Sequence, residues 1–167
     1  MGWSFMRLLR HLLAPSASRQ FPPATLDHIA AAVAAGELRH RGEVCFAVEP
    51  ALPAWRALRD YPVRARAEEV FAQLRVWDTA ANNGVLVYLL LADHRIEIVA
   101  DRGLDACIDD AAWRQVCACI EERMRAGQAE AAVIAGIAAV GDLLARHCPR
   151  VHGDADHNEL PDRPHLL

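Results

Sequence analysis

The strongest constraint on the fold is an almost unbroken apolar run at residues 85–92, near the middle of this 167-residue chain. The run has the length of a strand and contains β-branched and aromatic residues, which predicts a strand buried on both faces. Asp93-His94 follows as a candidate tight turn, and residues 95–100 then alternate polar and apolar side chains, as a half-exposed strand does. The sequence therefore predicts a β-hairpin whose buried strand needs a covering layer on each face.

Periodic apolar residues predict the elements that surround this hairpin. In chain order they are a helix at 24–40, a strand at 43–49, a helix at 62–74, and two closing helices at 109–126 and 128–147. The β-α-β crossover makes the first two strands parallel, and the hairpin adds an antiparallel strand. The predicted fold is thus α/β, a three-layer α/β/α sandwich with a small mixed sheet.

The predicted domain spans residues 21–149 and has a flanking segment on each side. Residues 1–20 form an amphipathic segment that mixes aromatic and leucine side chains with arginines. A short helix with the arginines on one side predicts a weak peripheral membrane contact through residues 3–13. A helix docked on the domain, or a frayed terminus, is the alternative. Residues 150–167 are polar and are predicted to be a disordered or extended tail.

Composition excludes several kinds of chemistry. All 18 basic residues are arginine, which removes Schiff-base catalysis by lysine, and the three serines all lie near the N-terminus, which removes a serine hydrolase built in the core. The net charge of -4 argues against a nucleic-acid partner. Five cysteines, no convincing export signal and no apolar run of roughly 20 residues predict a protein of the reducing cytoplasm.

The hairpin brings two polar loops, residues 76–83 and 101–108, to the same end of the sheet. One loop precedes the first strand of the hairpin, and the other follows its second strand. Eight polar side chains are expected to converge there: Asp78, Asn82, Asn83, Asp101, Arg102, Asp105, Asp109 and Asp110. Because carboxylate and amide oxygens suit hard cations, a Ca²⁺ or Mg²⁺ site is predicted. Its expected ligands are Asp78, Asn82, Asn83, Asp101 and Asp105.

The same loops allow other interpretations. Arg102 could neutralise the carboxylates in place of a cation, or it could bind a phosphate through two hydrogen bonds. Asp101 and Arg102 are accordingly the candidate catalytic residues. In a purely structural interpretation, Asp109 or Asp110 caps a helix and residues 82–84 form a turn.

Several segments together carry a family resemblance. They are Asn83-Gly84-Val85-Leu86, Arg95-Ile96-Glu97-Ile98-Val99, Gly103-Leu104-Asp105, Ala126-Gly127 and Ala135-Gly136-Ile137. In their order and spacing they resemble the TPM domain, a family named for a thylakoid lumen protein, a photosystem II repair protein and a modulator of acetylcholine receptors. The resemblance implies a small α/β/α sandwich. It also implies cation binding at this end of the sheet in some members, weak acid phosphatase activity in a plant member, and assembly or repair of membrane complexes in others.

The chain departs from the family pattern in both loops. Asn82 stands where members commonly have Asp, and Asp101-Arg102-Gly103 stands where they commonly have Gly-Tyr-Gly. Either the acidic group has moved to the facing loop and retains a cation site, or Arg102 replaces the cation.

Two hypotheses of function result. The first is a cytoplasmic interaction or assembly module with a divalent-cation or anion site, no organic cofactor and an unidentified protein partner, such as a membrane-associated complex. The alternative is a metal-dependent phosphatase of low turnover, in which Asp101 or Asp78 holds the metal and Arg102 binds the phosphate.

Overall fold

The order of elements follows the predicted one, with three short additions. The structure, a computed structural model, describes residues 2–151 and 158–167, with side chains from residue 5 onward. Its elements in chain order are α1 (Gly2–Leu12), α2 (Ala17–Gln20), α3 (Pro23–Glu37), β1 (Glu43–Glu49), α4 (Ala54–Leu58), α5 (Val63–Gln73), β2 (Gly84–Leu90), β3 (Arg95–Ala100), α6 (Asp110–Arg125), α7 (Ala129–His147) and β4 (His165–Leu166).

The four strands form one mixed sheet in the order β3-β2-β1-β4. β1 runs parallel to β2 with Glu43 opposite Gly84, and β2 pairs antiparallel with β3. All seven residues of β1 and all seven of β2 are buried, as the apolar run at 85–92 predicts. The α/β fold class with a small mixed sheet is confirmed.

The core lies on both faces of the sheet because successive strand residues point to opposite sides. Val44, Phe46 and Val48 of β1 belong to the larger cluster, together with residues of α3, α6 and α7. Cys45 and Ala47 belong to the smaller cluster, together with residues of α5. The helices therefore cover the sheet as two outer layers.

Local sequence signals explain several helix ends. Asp109 caps α6 by accepting a hydrogen bond from the Ala112 amide at 2.8 Å, and Gly127 follows the helix with a φ of 77°. Gly136 of α7 permits close packing on α6, since a Cβ there would lie 2.2 Å from the Ile120 side chain. The caps at 109 and 127 agree with the sequence prediction.

The end of the chain adds a strand that the sequence analysis missed. His165–Leu166 pairs in parallel with β1, and Leu160 is buried against the smaller core cluster. The Glu43 carboxylate accepts hydrogen bonds from the Glu159 and Leu160 amides at 3.1 and 3.2 Å. Residues 152–157 of the predicted tail lie outside the described residues.

The N-terminal segment forms α1, which packs against α4. Arg7 and His11 attach α1 to Asp93 at the turn of the β2–β3 hairpin. Among the described residues, no helix combines the length and the apolar character needed to cross a bilayer.

Candidate functional site

The two polar loops meet at the end of the sheet where β2 begins. The Gly103 amide donates a hydrogen bond to the Asn82 carbonyl at 2.9 Å, and the Asp101 amide donates to the Gly84 carbonyl at 2.8 Å. A Cβ at residue 103 would lie 2.4 Å from the Asn82 carbonyl oxygen and 2.6 Å from that of Ala81. Only glycine therefore allows the loops to approach this closely.

Asp101 carries a buried carboxylate with one unpaired oxygen. The residue is 9% exposed, and its Oδ1 accepts a hydrogen bond from the Arg102 amide at 2.7 Å. Its Oδ2 is buried and has no hydrogen-bond partner. A buried acceptor left unpaired costs about 1–3 kcal/mol, and more when it carries charge, so this oxygen is a candidate ligand atom.

Asn83 presents a second unpaired oxygen at the same end. Its backbone amide donates to Thr79 Oγ1 at 3.1 Å, its carbonyl accepts from the Glu43 amide at 3.2 Å, and its Nδ2 donates to the Arg41 carbonyl. Its Oδ1 is buried without a hydrogen-bond partner. Asn83 precedes Gly84 in the chain and the Asp101 amide is hydrogen-bonded to the Gly84 carbonyl, so the two residues that carry the unpaired oxygens both lie beside the start of β2.

The other predicted ligands have different surroundings. Asn82, in the left-handed region at φ 51°, accepts a hydrogen bond from the Arg102 guanidinium through Oδ1 at 3.2 Å. Asp78 is exposed and forms an ion pair with Arg75 at 2.6 Å. Asp105 is exposed and lines a surface pocket with Asp109 and His147, among others.

The acidic side chains of the predicted set do not form one cluster. Within residues 2–151 and 158–167, no group of three or more His, Cys, Asp or Glu side chains is placed to hold a metal ion. A cation at this end of the sheet would therefore depend on one carboxylate, that of Asp101, together with amide and main-chain oxygens.

Arg102 does not neutralise Asp101 through its side chain. Its guanidinium is directed to Asn82, and only its backbone amide contacts the Asp101 carboxylate. Among the described residues, the hydrogen bond to the Asp101 side chain therefore comes from a backbone amide, and Oδ2 is left without a partner.

Buried glutamates near the start of β1 were missed by sequence reasoning. The Glu37 Oε1 accepts a hydrogen bond from the Val44 amide at 2.8 Å, and burial raises the pKa of Glu37 to about 8. Burial also raises the pKa of Glu43, although the Leu160 and Glu159 amides oppose this effect. The sequence feature that could have pointed to Glu43 is its charge at the first position of a strand with an apolar interior.

His40 is fully buried near the same strand. Its Nδ1 lies 3.0 Å from the Gly42 carbonyl oxygen, and its Nε2 has no hydrogen-bond partner. Burial lowers the pKa of His40 to about 4, so the imidazole is neutral at neutral pH. Gly36 and Gly141 pack beside Nε2, where a Cβ would lie 3.4 or 3.6 Å from it. This histidine serves the packing of α3 on α7.

The opposite end of the sheet contains a buried carboxylate with complete pairing. Glu49, the last residue of β1, accepts hydrogen bonds through Oε2 from the Tyr88 hydroxyl at 2.6 Å and from Arg66 Nε at 2.8 Å. Its Oε1 accepts from another Arg66 nitrogen at 3.1 Å. Burial and the hydrogen bond to Glu49 raise the pKa of Tyr88, which keeps the phenol protonated.

The chain matches a known family model and is similar to solved structures. The chain matches the family model described as the TPM domain over residues 18–143. It is similar to the NMR structure of the BA42 protein from the psychrophilic bacterium Bizionia argentinensis, with 25% identity and a TM-score of 0.72 over 90% of this chain and 94% of that one.

A second solved structure supports the fold alone. The N-terminal domain of a protein from P. gingivalis is 20% identical, with a TM-score of 0.64 over 82% of this chain and 86% of that one. No curated protein matches the chain.

Proposed function

This chain belongs to the TPM domain family, and we propose that it is an interaction module that binds a divalent cation where β2 begins. The observation that carries the proposal is the buried Oδ2 of Asp101, a carboxylate oxygen without a hydrogen-bond partner. A cation would pair this charge, and the unpaired Oδ1 of Asn83 would supply a neutral oxygen.

The ligand set favours Ca²⁺ over Mg²⁺. Calcium accepts six to eight oxygen ligands, including amide and main-chain carbonyl oxygens in irregular geometry, whereas magnesium demands a near-ideal octahedron. One carboxylate gives little charge compensation, so we expect a dissociation constant in the range of about 10⁻⁴–10⁻³ M, as in weak calcium modules.

Thermal unfolding with added cation tests this site. A ligand that binds only the folded state at about ten times its dissociation constant stabilises it by about 1.4 kcal/mol. For a chain of this length, that corresponds to a rise in Tm of about 3–6 °C. We expect this rise with CaCl₂ for the wild type, and a smaller one with MgCl₂.

Two matched substitutions locate the effect. Asp101→Asn should remove the calcium-dependent rise in Tm, because it removes the charge that the cation pairs. Asp105→Asn, which changes an exposed aspartate of the same loop, should leave the rise unchanged. An equal rise in Asp101→Asn and the wild type would refute the proposed site.

An interaction role is supported by what surrounds the site. The hydroxyl beside these residues is that of Thr79, which accepts a hydrogen bond from the Asn83 amide, and in the described chain no histidine, cysteine or carboxylate side chain is hydrogen-bonded to it. The proposed partner is a protein, such as one in a membrane-associated complex. All five cysteines are free, which suits the proposed cytoplasmic location.

A second candidate function is a metal-dependent phosphatase of low turnover. The exposed Arg102 guanidinium beside Asn82 favours it, since an arginine next to a metal site can bind a phosphate. Pure protein would be assayed for phosphate release with Mg²⁺, Ca²⁺ or Mn²⁺, in parallel with Asp101→Asn. Activity that survives this substitution unchanged would come from a contaminant and would exclude the enzyme.

A further inference from the structure

The N-terminal helix α1 docks on the domain through its polar side. Arg7 donates two hydrogen bonds to one oxygen of Asp93, at 2.7 and 3.0 Å, and another to the Tyr61 carbonyl at 2.9 Å. His11 is 5% exposed; its Nδ1 accepts from the Leu52 amide at 2.9 Å, and its Nε2 lies 3.1 Å from Asp93. These buried contacts fix which side of α1 faces the domain.

The apolar side of α1 consequently faces outward. Five large side chains, which we call the outer face, are between 40% and 73% exposed: Phe5, Met6, Leu9, Leu12 and Leu13. Their spacing of three and four residues places them on one stripe of the helix. An amphipathic helix normally buries such a stripe, so α1 is docked in the inverse of the usual orientation.

The ion pair between Arg7 and Asp93 fixes this orientation of α1, and the orientation leaves apolar side chains in water. Turning α1 over would bury the outer face, but it would leave the buried Asp93 carboxylate without Arg7. An unpaired buried charge costs several kcal/mol, which holds the apolar stripe in solvent. Contiguous exposed apolar surface on a monomer commonly marks an interaction site.

The surroundings of the outer face indicate what covers it. Arg10 and His94 are exposed and line a groove together with Met6, Leu9 and Leu13. The adjacent helix α4 exposes Trp55 and Leu58 and is followed by the exposed Arg59, and Arg19 is exposed in α2, the next helix after α1 in the chain. Apolar side chains with cations and a tryptophan at their border are typical of helices that lie in the interface of an anionic membrane.

From this geometry we propose that the outer face of α1 docks on the surface of an anionic lipid bilayer. The leucines and Phe5 enter the boundary between headgroups and acyl chains, and Arg10 contacts lipid phosphates. A second copy of the chain is disfavoured as the occupant, because it would bring this cationic rim against its own equivalent. The surface is independent of the cation site, which lies at the opposite end of the hairpin.

Vesicle co-sedimentation of the full chain tests the proposal. The vesicles would contain phosphatidylcholine alone, or phosphatidylcholine with about 30% phosphatidylglycerol, which supplies the negative surface potential. We expect binding to the anionic vesicles, weaker binding to the neutral ones, and a loss of most binding in about 0.5 M NaCl, where surface charges are screened.

Substitutions on and off the outer face provide the control. Leu9→Glu with Leu12→Glu should lower the partition coefficient by at least about tenfold, since each buried leucine side chain contributes a factor of that order. Leu38→Glu, at an exposed leucine that follows α3, should leave it unchanged. Circular dichroism establishes that each variant is folded. Arg10→Gln removes the 3.8 Å ion pair with Asp93, which Arg7 still pairs, and it should lower binding to the anionic vesicles.

Three results would overturn the proposal. The first is equal sedimentation of the wild type and the double variant, and the second is equal binding to neutral and anionic vesicles. The third is a dimer in light scattering that the double variant abolishes while the wild type does not sediment, which would assign the outer face to a second copy.

Discussion

Two buried carboxylates at opposite ends of the sheet, Glu49 and Asp101, differ in how completely they are paired. At the end where β1 and β2 finish, Glu49 is paired with Arg66 and Tyr88, and Asp93 is paired with Arg7. At the end where β2 begins, Asp101 keeps one oxygen without a partner, although Arg102 is its neighbour in sequence.

This difference in pairing distinguishes a carboxylate that stabilises the fold from one that is available to a ligand. A buried carboxylate that only stabilises the fold gains from complete pairing by the chain itself, because each unpaired polar group costs about 1–3 kcal/mol. An unpaired oxygen that persists in a native protein calls for an explanation, such as an ion. We therefore propose that the pairing of Glu49 and Asp93 serves the fold and that Asp101 serves ligand binding.

Removing the ion pair between Arg66 and Glu49 should produce the largest loss of stability. Arg66→Ala leaves the buried Glu49 carboxylate without its cation, so we expect the free energy of unfolding to fall by about 3–5 kcal/mol in urea titrations. Arg75→Ala, which removes an exposed ion pair with Asp78, should cost at most about 1 kcal/mol. Equal losses in the two variants would contradict the distinction between the ends.

The pH dependence of stability should depend on Glu37. Burial raises its pKa from 4.5 to about 8 in the folded state, so between these values the folded protein holds a proton that the unfolded chain has released. The contribution of Glu37 to the free energy of unfolding should therefore fall as pH rises through this window, by an amount on the order of 2–4 kcal/mol, and above pH 6.5 the lowered pKa of His40 no longer opposes it.

Substitution isolates this contribution. Glu37→Gln should flatten the curve of Tm against pH between pH 6.5 and pH 8, above the range in which His40 contributes, because glutamine accepts the Val44 hydrogen bond without titrating. Glu68→Gln, at an exposed position of α5, should leave the curve unchanged. An unchanged slope in Glu37→Gln would show that another group is responsible.

A substitution that forces the loops at residues 76–83 and 101–108 apart should abolish binding at the proposed cation site. Gly103→Ala places a Cβ against the Ala81 and Asn82 carbonyl oxygens, so we expect a stability loss on the order of 1–3 kcal/mol. It should also lose the calcium-dependent rise in Tm. Gly127→Ala strains a positive φ at a distant helix end and should keep the calcium response. Loss of the response in both variants would mean that it reflects stability alone.

When no cation is present, replacing a carboxylate by an amide should change the free energy of unfolding in opposite directions at the two ends of the sheet. Asp101→Asn removes a buried charge that has only one hydrogen-bond donor, and we expect it to raise the free energy of unfolding by about 1 kcal/mol. Glu49→Gln should lower it, because Arg66 loses its more deeply buried carboxylate partner and keeps only Glu69. Chemical denaturation in chelator measures both, and a destabilising Asp101→Asn would count against the unpaired state of Asp101.

The regular elements of the fold were predictable because their periodicity is local. The buried run at 85–92 and the alternation after it predicted β2 and β3, and Asp109 and Gly127 marked the ends of α6. The helices α2 and α4 and the strand β4 have two to five residues, too few to show a period.

Side-chain pairing was less accessible to sequence reasoning. Hairpin topology places residues 82 and 102 together, and they are in contact. Which oxygen stays unpaired depends on rotamers and on contacts between distant residues. The orientation of α1 depends likewise on Arg7 meeting Asp93, 86 positions away.

The most direct test of the proposed cation site is an NMR titration of ¹⁵N-labelled protein with Ca²⁺ and Mg²⁺. We expect saturable amide shifts with Ca²⁺ at residues 78–84 and 101–110, with the amides of residues 49, 66 and 88, at the end where β1 and β2 finish, unmoved. An absence of shifts at about 10 mM Ca²⁺, well above the expected dissociation constant, would contradict a cation site at this end of the sheet.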